Sequence, residues 1–483
     1  MVLFRLLEKS ISIVSTIVLA RLLVPEDFGL VAMAMTVVAL LDLMRTFGLE
    51  MALIQNQDAT PRHYNTAWTF NILASTMIAI VLYAVTPIAI SFYGEPRLAG
   101  IMPFLALGVF VMGFENIGVV LFRKEMNFSK DFIYMLSRKV INFVVAMGLV
   151  FYIRDYMALI YAFLIGKVLV LIMSFMIHPY RPRLTLSERK DLFAFSGWLF
   201  LNNILMFINQ RAPEMIIGRL ADAKSLGFYN VSFDISRMTS AGIIQPINRA
   251  AIPGFSKLNK DYHALKNSYL NTMGMIALLI TPASLGFAII SPVVVPVLLG
   301  EKWLDAIPVM QALAVALLVG AIGNNFSIYI SLGKPKFVTF IALLRNALLI
   351  PTVYFAVTHY GIIGAAWSFL LVSAITTPIS YWKVCSILKI TFNEIASRYI
   401  RPILASVTMC LVLNYLYNNY ISLHANHYSV LDLIVLILAG GSAYITAQFA
   451  LWKIAGSPPG CERQIITVMR EKLASKAADN SAS

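Results

Sequence analysis

The sequence predicts an all-α protein that crosses a membrane many times. Of its 483 residues, 59% are hydrophobic and only 13% are charged, whereas a soluble domain carries roughly 25% charged residues. The apolar residues fall in blocks of roughly 20, the length that spans a bilayer as a helix. We see no sustained ten-residue alternation of the kind found in outer-membrane barrels. The composition therefore excludes a soluble enzyme, a nucleic-acid-binding domain and a secreted disulfide scaffold.

At this length we expect about fourteen spans joined by short connections. Apolar residues in the last stretch, 454–483, fall at helical spacing (Ile465, Ile466, Met469 and Leu473) and predict a surface helix or a plain cytosolic tail. The predicted helices are 3–23, 28–49, 66–92, 98–121, 131–153, 157–178, 194–217, 225–250, 267–299, 304–331, 336–358, 361–385, 398–419 and 429–453.

The loop charges predict the orientation of the chain. With the N-terminus in the cytoplasm, the inner loops and the tail hold 23 Lys and Arg residues, and the outer loops hold 6. This excess follows the positive-inside rule. We therefore expect a multi-pass protein with both termini in the cytoplasm. Most of the +14 net charge then reflects orientation rather than nucleic-acid binding.

Part of the chain repeats itself. Residues 17–30 read IVLARLLVPEDFGL and residues 215–228 read MIIGRLADAKSLGF, with Arg-Leu and a hydrophobic residue before Gly at the same spacing. A weaker match relates 138–158 to 345–365. Parallel repeats are typical of transporters that bind substrate between their halves. We expect an N-terminal lobe (1–190), a C-terminal lobe (191–390), two further helices (391–455) and a cytoplasmic tail (456–483).

The stretch from Ala20 to Met33, ARLLVPEDFGLVAM, resembles the first outer loop of bacterial polysaccharide-export flippases. These belong to the multidrug/oligosaccharidyl-lipid/polysaccharide exporter superfamily. Residues 227–230 (GFYN) and 361–367 (GIIGAAW) support the resemblance, which extends from about residue 3 to 450. It looks closest to the branch that includes the colanic-acid-type lipid-linked repeat-unit flippases.

The resemblance implies two six-helix lobes and alternating access, with a cleft lined by predicted helices 1, 2, 7 and 8. It implies an undecaprenyl-diphosphate-linked oligosaccharide as cargo. That cargo would move from the cytoplasmic to the periplasmic leaflet of the bacterial inner membrane, for lipopolysaccharide, capsule or exopolysaccharide synthesis. The expected partners are this cargo, membrane lipids, and the polymerase and glycosyltransferases of the same pathway.

Nine cations fall within or at the edges of predicted helices. A charge at bilayer depth costs roughly 2.5–3.5 kcal/mol and so should face a cavity or a partner. Arginine binds phosphate through paired, charge-assisted hydrogen bonds. The nine are Arg5, Lys9, Arg45, Arg138, Lys139, Lys167, Arg211, Arg237 and Arg345. Among them we predict five cargo-binding residues: Arg211, Arg345, Arg45, Arg138 and Arg237.

Structural alternatives stay open for these cations. Asp42 and Arg45 are three residues apart, as are Asp234 and Arg237, so each pair can neutralise itself on one helix face. Glu115 or Glu214 could be the partner of Arg211 or Arg345. The remaining cations can extend their charged ends to the membrane interface.

Predicted helix 7 (194–217) is the most polar span. Asn203, Gln210 and Glu214 recur at intervals of 7 and 4 residues and share one face. Such a face predicts a cavity, or alternatively a hydrogen-bonded seam between helices. Pro213 is expected to kink the helix.

Uphill transport needs an energy source, and the sequence has no Walker A motif. We expect coupling to an H⁺ or Na⁺ gradient, with Asp42, Glu115 and Asp234 as candidate ion-coupling residues. We find no catalytic or metal-ligand spacing, and we expect neither an enzyme nor a bound cofactor.

Two other functions are compatible with a polytopic chain. A multidrug exporter of the same superfamily would line its cavity with acidic and aromatic residues, and the nine cations favour an anionic cargo instead. A membrane glycosyltransferase or polymerase would need large catalytic loops outside the membrane, and the predicted outer loops are short.

Overall fold

The computed structural model describes residues 2–45, 49–56, 58–188, 197–421, 428–458 and 460–463. These ranges contain helices and no strand, which confirms the all-α prediction. The predicted tail helix lies outside the described residues. The helices are α1 (Val2–Leu22), α2 (Pro25–Asp42), α3 (Leu49–Gln55), α4 (Pro61–Ala84), α5 (Thr86–Tyr93), α6 (Leu98–Met112), α7 (Val120–Lys124), α8 (Phe128–Ile153), α9 (Tyr156–Ile177), α10 (Gly197–Leu220), α11 (Ala223–Leu258), α12 (Tyr262–Val294), α13 (Ile307–Ile322), α14 (Phe326–Ser331), α15 (Pro335–Ile387), α16 (Phe392–Leu416) and α17 (Val430–Ile454).

Long apolar helices make this a multi-pass membrane protein. In the described part of the chain, eight helices are long and apolar enough to cross a membrane, or nine if a bent pair that includes α6 forms one span. The 53-residue α15 is interrupted at Gly361, where φ is 61° and ψ is −151°. It therefore consists of two helices, as the sequence predicts. The count of fourteen spans stays a prediction.

Four other long helices, α1, α2, α10 and α11, do not meet this test of length and apolarity. They carry charges such as Lys9, Asp42, Arg211 and Arg237 within their length. Other charges that the sequence analysis singles out, Arg138, Lys167 and Arg345, lie on helices that do meet the test.

The chain divides into two compact units. Unit 1 comprises Met1–Val231, Leu298–Lys302 and Val353–Ile362. Unit 2 comprises Ser232–Val297, Trp303–Thr352 and Ile363–Ser483. The predicted boundary between lobes, at residues 190 and 191, lies outside the described residues.

Each unit has its own apolar interior. In unit 1, α2 packs against α4, α6, α9 and α10, and α9 also packs against α6 and α8. In unit 2, α12 packs against α13, α16 and α17. One buried cluster of unit 2 includes Phe255, Tyr269, Ile276, Ile280 and Tyr329.

In unit 1, α6 ends earlier than the predicted helix 98–121. The helix stops at Met112, and the segment from Ile117 to Lys124 continues at an angle of 62°. Asn116 stabilises the bend, because its side chain accepts a hydrogen bond from the Gly118 amide at 2.9 Å and donates to the Tyr180 carbonyl at 2.8 Å. A buried amide side chain thus pairs with backbone groups that a break in a helix leaves unsatisfied.

Unit 2 has a similar break, within the predicted helix 304–331. The helix α13 ends at Ile322, and α14 begins at Phe326. The buried Asn325 between them accepts a hydrogen bond from the Tyr269 hydroxyl at 2.6 Å and donates to Ser380 Oγ at 3.0 Å. Asn325 therefore has a packing role at the break.

The two repeated stretches of sequence meet in unit 1, where the first turns of α2 and α11 cross. A Cβ atom added to Gly29 would lie 1.6 Å from the Ala223 carbonyl oxygen, and one added to Gly227 would lie 1.8 Å from the Pro25 carbonyl oxygen. Each glycine faces the residue four positions before the other glycine, so the contact is reciprocal. Only glycine permits so close an approach of two backbones.

A polar contact lies nearby in the same unit. The Arg21 guanidinium donates from Nε to the Leu298 carbonyl at 2.9 Å, and Lys302 Nζ donates to the Arg21 carbonyl at 2.9 Å. Arg21 lies in the last turn of α1, just before the crossing. These bonds tie the α1–α2 turn to the short segment 298–302.

Candidate functional site

Arg211 and Glu214 form an ion pair on α10. Arg211 Nη1 lies 2.6 Å from Glu214 Oε2, and the same oxygen accepts a hydrogen bond from Thr36 Oγ1 on α2 at 3.1 Å. Glu214 is buried, whereas the Arg211 side chain keeps 36% of its exposure. Glu214 thus holds α10 against α2, and Arg211 supplies its counter-charge.

The structure separates the members of the predicted polar face of α10. Asn203 is half-buried, Gln210 is exposed and Glu214 is buried against α2. Pro213 is buried within α10, and the helix continues through it from Gly197 to Leu220. At Glu214 the face is therefore a hydrogen-bonded contact with α2. One turn away, at Gln210, it is exposed.

A second group of charges lies between helices of unit 1, and we call it the unit 1 charge cluster (Asp42, Arg45, Glu115, Arg138 and Lys167). Arg45 Nε lies 2.8 Å from Asp42 Oδ1, and Arg138 Nη2 lies 3.7 Å from Glu115 Oε2. The side chain of Lys167 reaches Met112, three residues before Glu115. The cluster carries one positive charge in excess.

Lys167 was not among the predicted cargo-binding residues. It lies near the middle of α9, with Nζ 3.0 Å from Met112 Sδ and 5.3 Å from the centre of the Phe163 ring. Its position eleven residues into an apolar helix is a signal that the sequence already contains. At that depth a lysine is far from either helix end, and it cannot easily reach the interface.

Arg345 makes no ion pair in the described part of the chain. It lies on α15 in unit 2, and its Nε is buried without a hydrogen bond. The Ser373 hydroxyl, also on α15, is likewise buried and unpartnered. Both groups surround Gly320 of α13, where an added Cβ would lie 3.3 Å from Ser373 Oγ and 3.8 Å from Arg345 Nη2. Two groups without hydrogen bonds, Arg345 Nε and Ser373 Oγ, therefore belong to side chains that lie next to the same glycine.

Arg138 and Arg345 occupy matching positions in the weaker sequence repeat, but their partners differ. Arg138 pairs with Glu115. Arg345 makes no ion pair with the residues that the structure describes.

Arg237 and Asp234 are exposed on α11. Within the ranges that the structure describes, Arg237 makes no ion pair, so the pair expected from the three-residue spacing with Asp234 is not formed. No group of three His, Cys, Asp or Glu residues in those ranges could hold a metal ion.

Comparison with known proteins establishes the family. The model of a family described as polysaccharide biosynthesis protein matches residues 18–308. This chain belongs to that family. The lipopolysaccharide biosynthesis protein WzxC of Escherichia coli K12 is 24% identical over 377 residues, which cover 77% of each chain. The teichuronic acid biosynthesis protein TuaB of Bacillus subtilis is 24% identical over 415 residues, which cover 82% of this chain and 83% of TuaB.

Solved structures support the fold. A lipid II flippase, MurJ, in an inward closed conformation matches with a TM-score of 0.76 at 15% identity, over 94% of this chain and 100% of MurJ. An inward-facing multidrug transporter of the MATE family matches with a TM-score of 0.61 at 15% identity, over 79% of this chain and 95% of the transporter. The family member described here is a membrane transporter and not an enzyme, and the glycosyltransferase or polymerase alternative is set aside.

Proposed function

We propose that this family member flips undecaprenyl-diphosphate-linked oligosaccharide repeat units from the cytoplasmic to the periplasmic leaflet of the bacterial inner membrane by alternating access. The product would serve lipopolysaccharide, capsule or exopolysaccharide synthesis. The supporting observation is Arg345, a half-buried arginine whose Nε is buried without a hydrogen bond and which has no acidic partner in the described residues. An uncompensated guanidinium inside a membrane protein is costly, and a diphosphate provides the charge that compensates it.

The same proposal assigns roles to the other predicted residues. Arg45 and Arg138 already have carboxylate partners, so they fit a polar lining through which the charged headgroup passes. Arg211, with its exposed fraction, and the exposed Arg237 fit contacts made at other stages of the passage. The two-lobe division at residue 190 and cytoplasmic termini complete this scheme.

An H⁺ or Na⁺ gradient is the proposed energy source. Asp42 lies beside Arg45, and Glu115 lies beside Arg138. Asp42, Glu115 and Asp234 are the three proposed coupling residues. The polymerase and glycosyltransferases that make and use the repeat unit are the proposed partners.

Deletion of the gene in its host tests the proposal. We expect loss of surface polysaccharide and accumulation of lipid-linked repeat units on the inner leaflet, both reversed by the intact gene. Unchanged polysaccharide would reject the flippase function in that host. Efflux of lipophilic cationic dyes is the matched test for a multidrug exporter, and we expect deletion to leave it unchanged.

A further inference from the structure

Unit 1 has an apolar groove of about 580 Å³ that the proposed function does not use. Two of its side chains, Ile172 and Met176, are 50% and 79% exposed, so the groove opens on the outside of the unit. Its walls come from α4, the bend after α6 and the last turns of α9, and an arginine stands at one end. The lining residues are Trp68, Phe114, Leu171, Ile172, Phe175, Met176 and Arg181.

Backbone carbonyls hold Arg181 in place at the groove. Its Nη1 donates to the carbonyl oxygens of His178 at 2.9 Å and Tyr180 at 3.0 Å, and its guanidinium lies 5.5 Å from the centre of the Phe175 ring. In the described part of the chain, Nε and Nη2 have no acceptor. Two directed N–H groups beside an apolar surface therefore remain for an oxyanion, and their geometry suits phosphate.

The segment after α9 brings more positive charge to the same end. The Arg183 amide donates to Asn65 Oδ1 at 3.0 Å, and the Thr185 amide donates to Thr69 Oγ1 at 2.9 Å. These bonds hold the segment along the first turns of α4. Arg62 and the positive N-terminal end of α4 lie there as well. The surface is thus cationic at one end and apolar at the other.

We infer that this groove binds an anionic phospholipid from the leaflet that surrounds it. The lipid phosphate would accept hydrogen bonds from Arg181, and one acyl chain would lie against Trp68, Phe175 and Met176. Basic pockets between membrane helices bind such headgroups, and tryptophan is enriched at the membrane interface. A zwitterionic lipid would bring its own cation close to the arginines, so the site selects against it.

Native mass spectrometry of the purified full chain in detergent tests this inference. The probes are dioleoyl-phosphatidylglycerol and dioleoyl-phosphatidylcholine. We expect the wild type to retain phosphatidylglycerol about tenfold better. Arg181→Gln should abolish the preference. Arg154→Gln, which changes an exposed arginine at the opposite end of α9, should keep it. Ile172→Trp should fill the groove and reduce retention of both lipids.

Equal retention of the two lipids by the wild type overturns the inference, as does an unchanged preference in Arg181→Gln. Displacement of phosphatidylglycerol by inorganic phosphate alone also overturns it, because the acyl chain would then contribute nothing. Thermal melting shows whether each variant is folded. If Arg181→Gln melts early, Arg181→Lys provides the test, and it should retain only part of the preference because it lacks the forked guanidinium.

Discussion

The crossing of α2 and α11 provides a sharp mutational test, because backbone atoms alone obstruct a larger residue there. Alanine in place of Gly29 would put a methyl group 1.6 Å from the Ala223 carbonyl oxygen. Carbon and oxygen atoms pack no closer than about 3.3 Å, so the helices must separate by about 1.7 Å. No side-chain rotation relieves such a clash. Overpacking of this kind costs about 1–3 kcal/mol, more than the roughly 0.5–1 kcal/mol that alanine gains over glycine in a helix.

The reciprocity of the contact makes the prediction stricter. A single separation of the helices relieves the clash at Gly29 and the matching clash at Gly227. The double variant Gly29→Ala/Gly227→Ala should therefore lose about as much stability as either single variant, whereas independent sites would add. The assay is thermal melting of the purified variants in detergent.

Gly148→Ala is the matched control, because an added Cβ there meets nothing within 4 Å. It should melt at or above the wild-type temperature. Two results would refute the reasoning. One is an equal melting temperature for the single variants Gly29→Ala and Gly148→Ala. The other is a double variant whose loss of stability equals the sum of the losses in the two single variants.

Three further predictions follow from single side chains. Arg345→Gln should leave membrane abundance normal, because no described partner loses a bond, yet reduce surface polysaccharide at least about tenfold. Full complementation would reject its role. Arg211→Ala should lower abundance by removing the cation that lies 2.6 Å from the buried Glu214. Adding Glu214→Gln should restore abundance, and failure to do so would exclude the charge as the cause. Burial lowers the pKa of His178 below its ordinary value of 6.5. As the pH falls, the unfolded chain therefore takes up a proton before the folded chain does. The stability of the folded protein should fall as the pH drops below about 6.5. A melting temperature of His178→Gln that shows the same pH dependence as the wild type would contradict this.

Regular apolar blocks made the helices predictable. The predicted helices 131–153 and 157–178 agree closely with α8 and α9, and the break at Gly361 falls where two predicted helices were divided. The breaks after Gly113 and Gly323 were missed because each lies inside an uninterrupted apolar run. The matched signal is a glycine followed within three residues by asparagine, Asn116 or Asn325, in both halves.

The partners of the charged residues were much harder to predict. The spacing of three residues joins Asp42 to Arg45 and Glu214 to Arg211, yet Arg237 at the same spacing from Asp234 makes no ion pair in the described ranges. A spacing of three residues places two charged side chains on one helix face. Whether they pair depends on burial, because an exposed ion pair gains too little energy to offset the side-chain entropy that it loses. Neighbours from distant segments, such as Ser373 and Arg345 beside Gly320, have no signal in local sequence.

The different partners of Arg138 and Arg345 also have an electrical consequence. Arg138 and Glu115 form an ion pair, and a pair that moves together carries no net charge through the membrane field. Arg345 has no such partner among the described residues, so a displacement of its helix along the membrane normal moves a whole elementary charge. A full crossing would be worth about 2.3 kcal/mol per 100 mV. The membrane voltage therefore exerts a net force at Arg345, whereas its forces on Arg138 and Glu115 oppose each other.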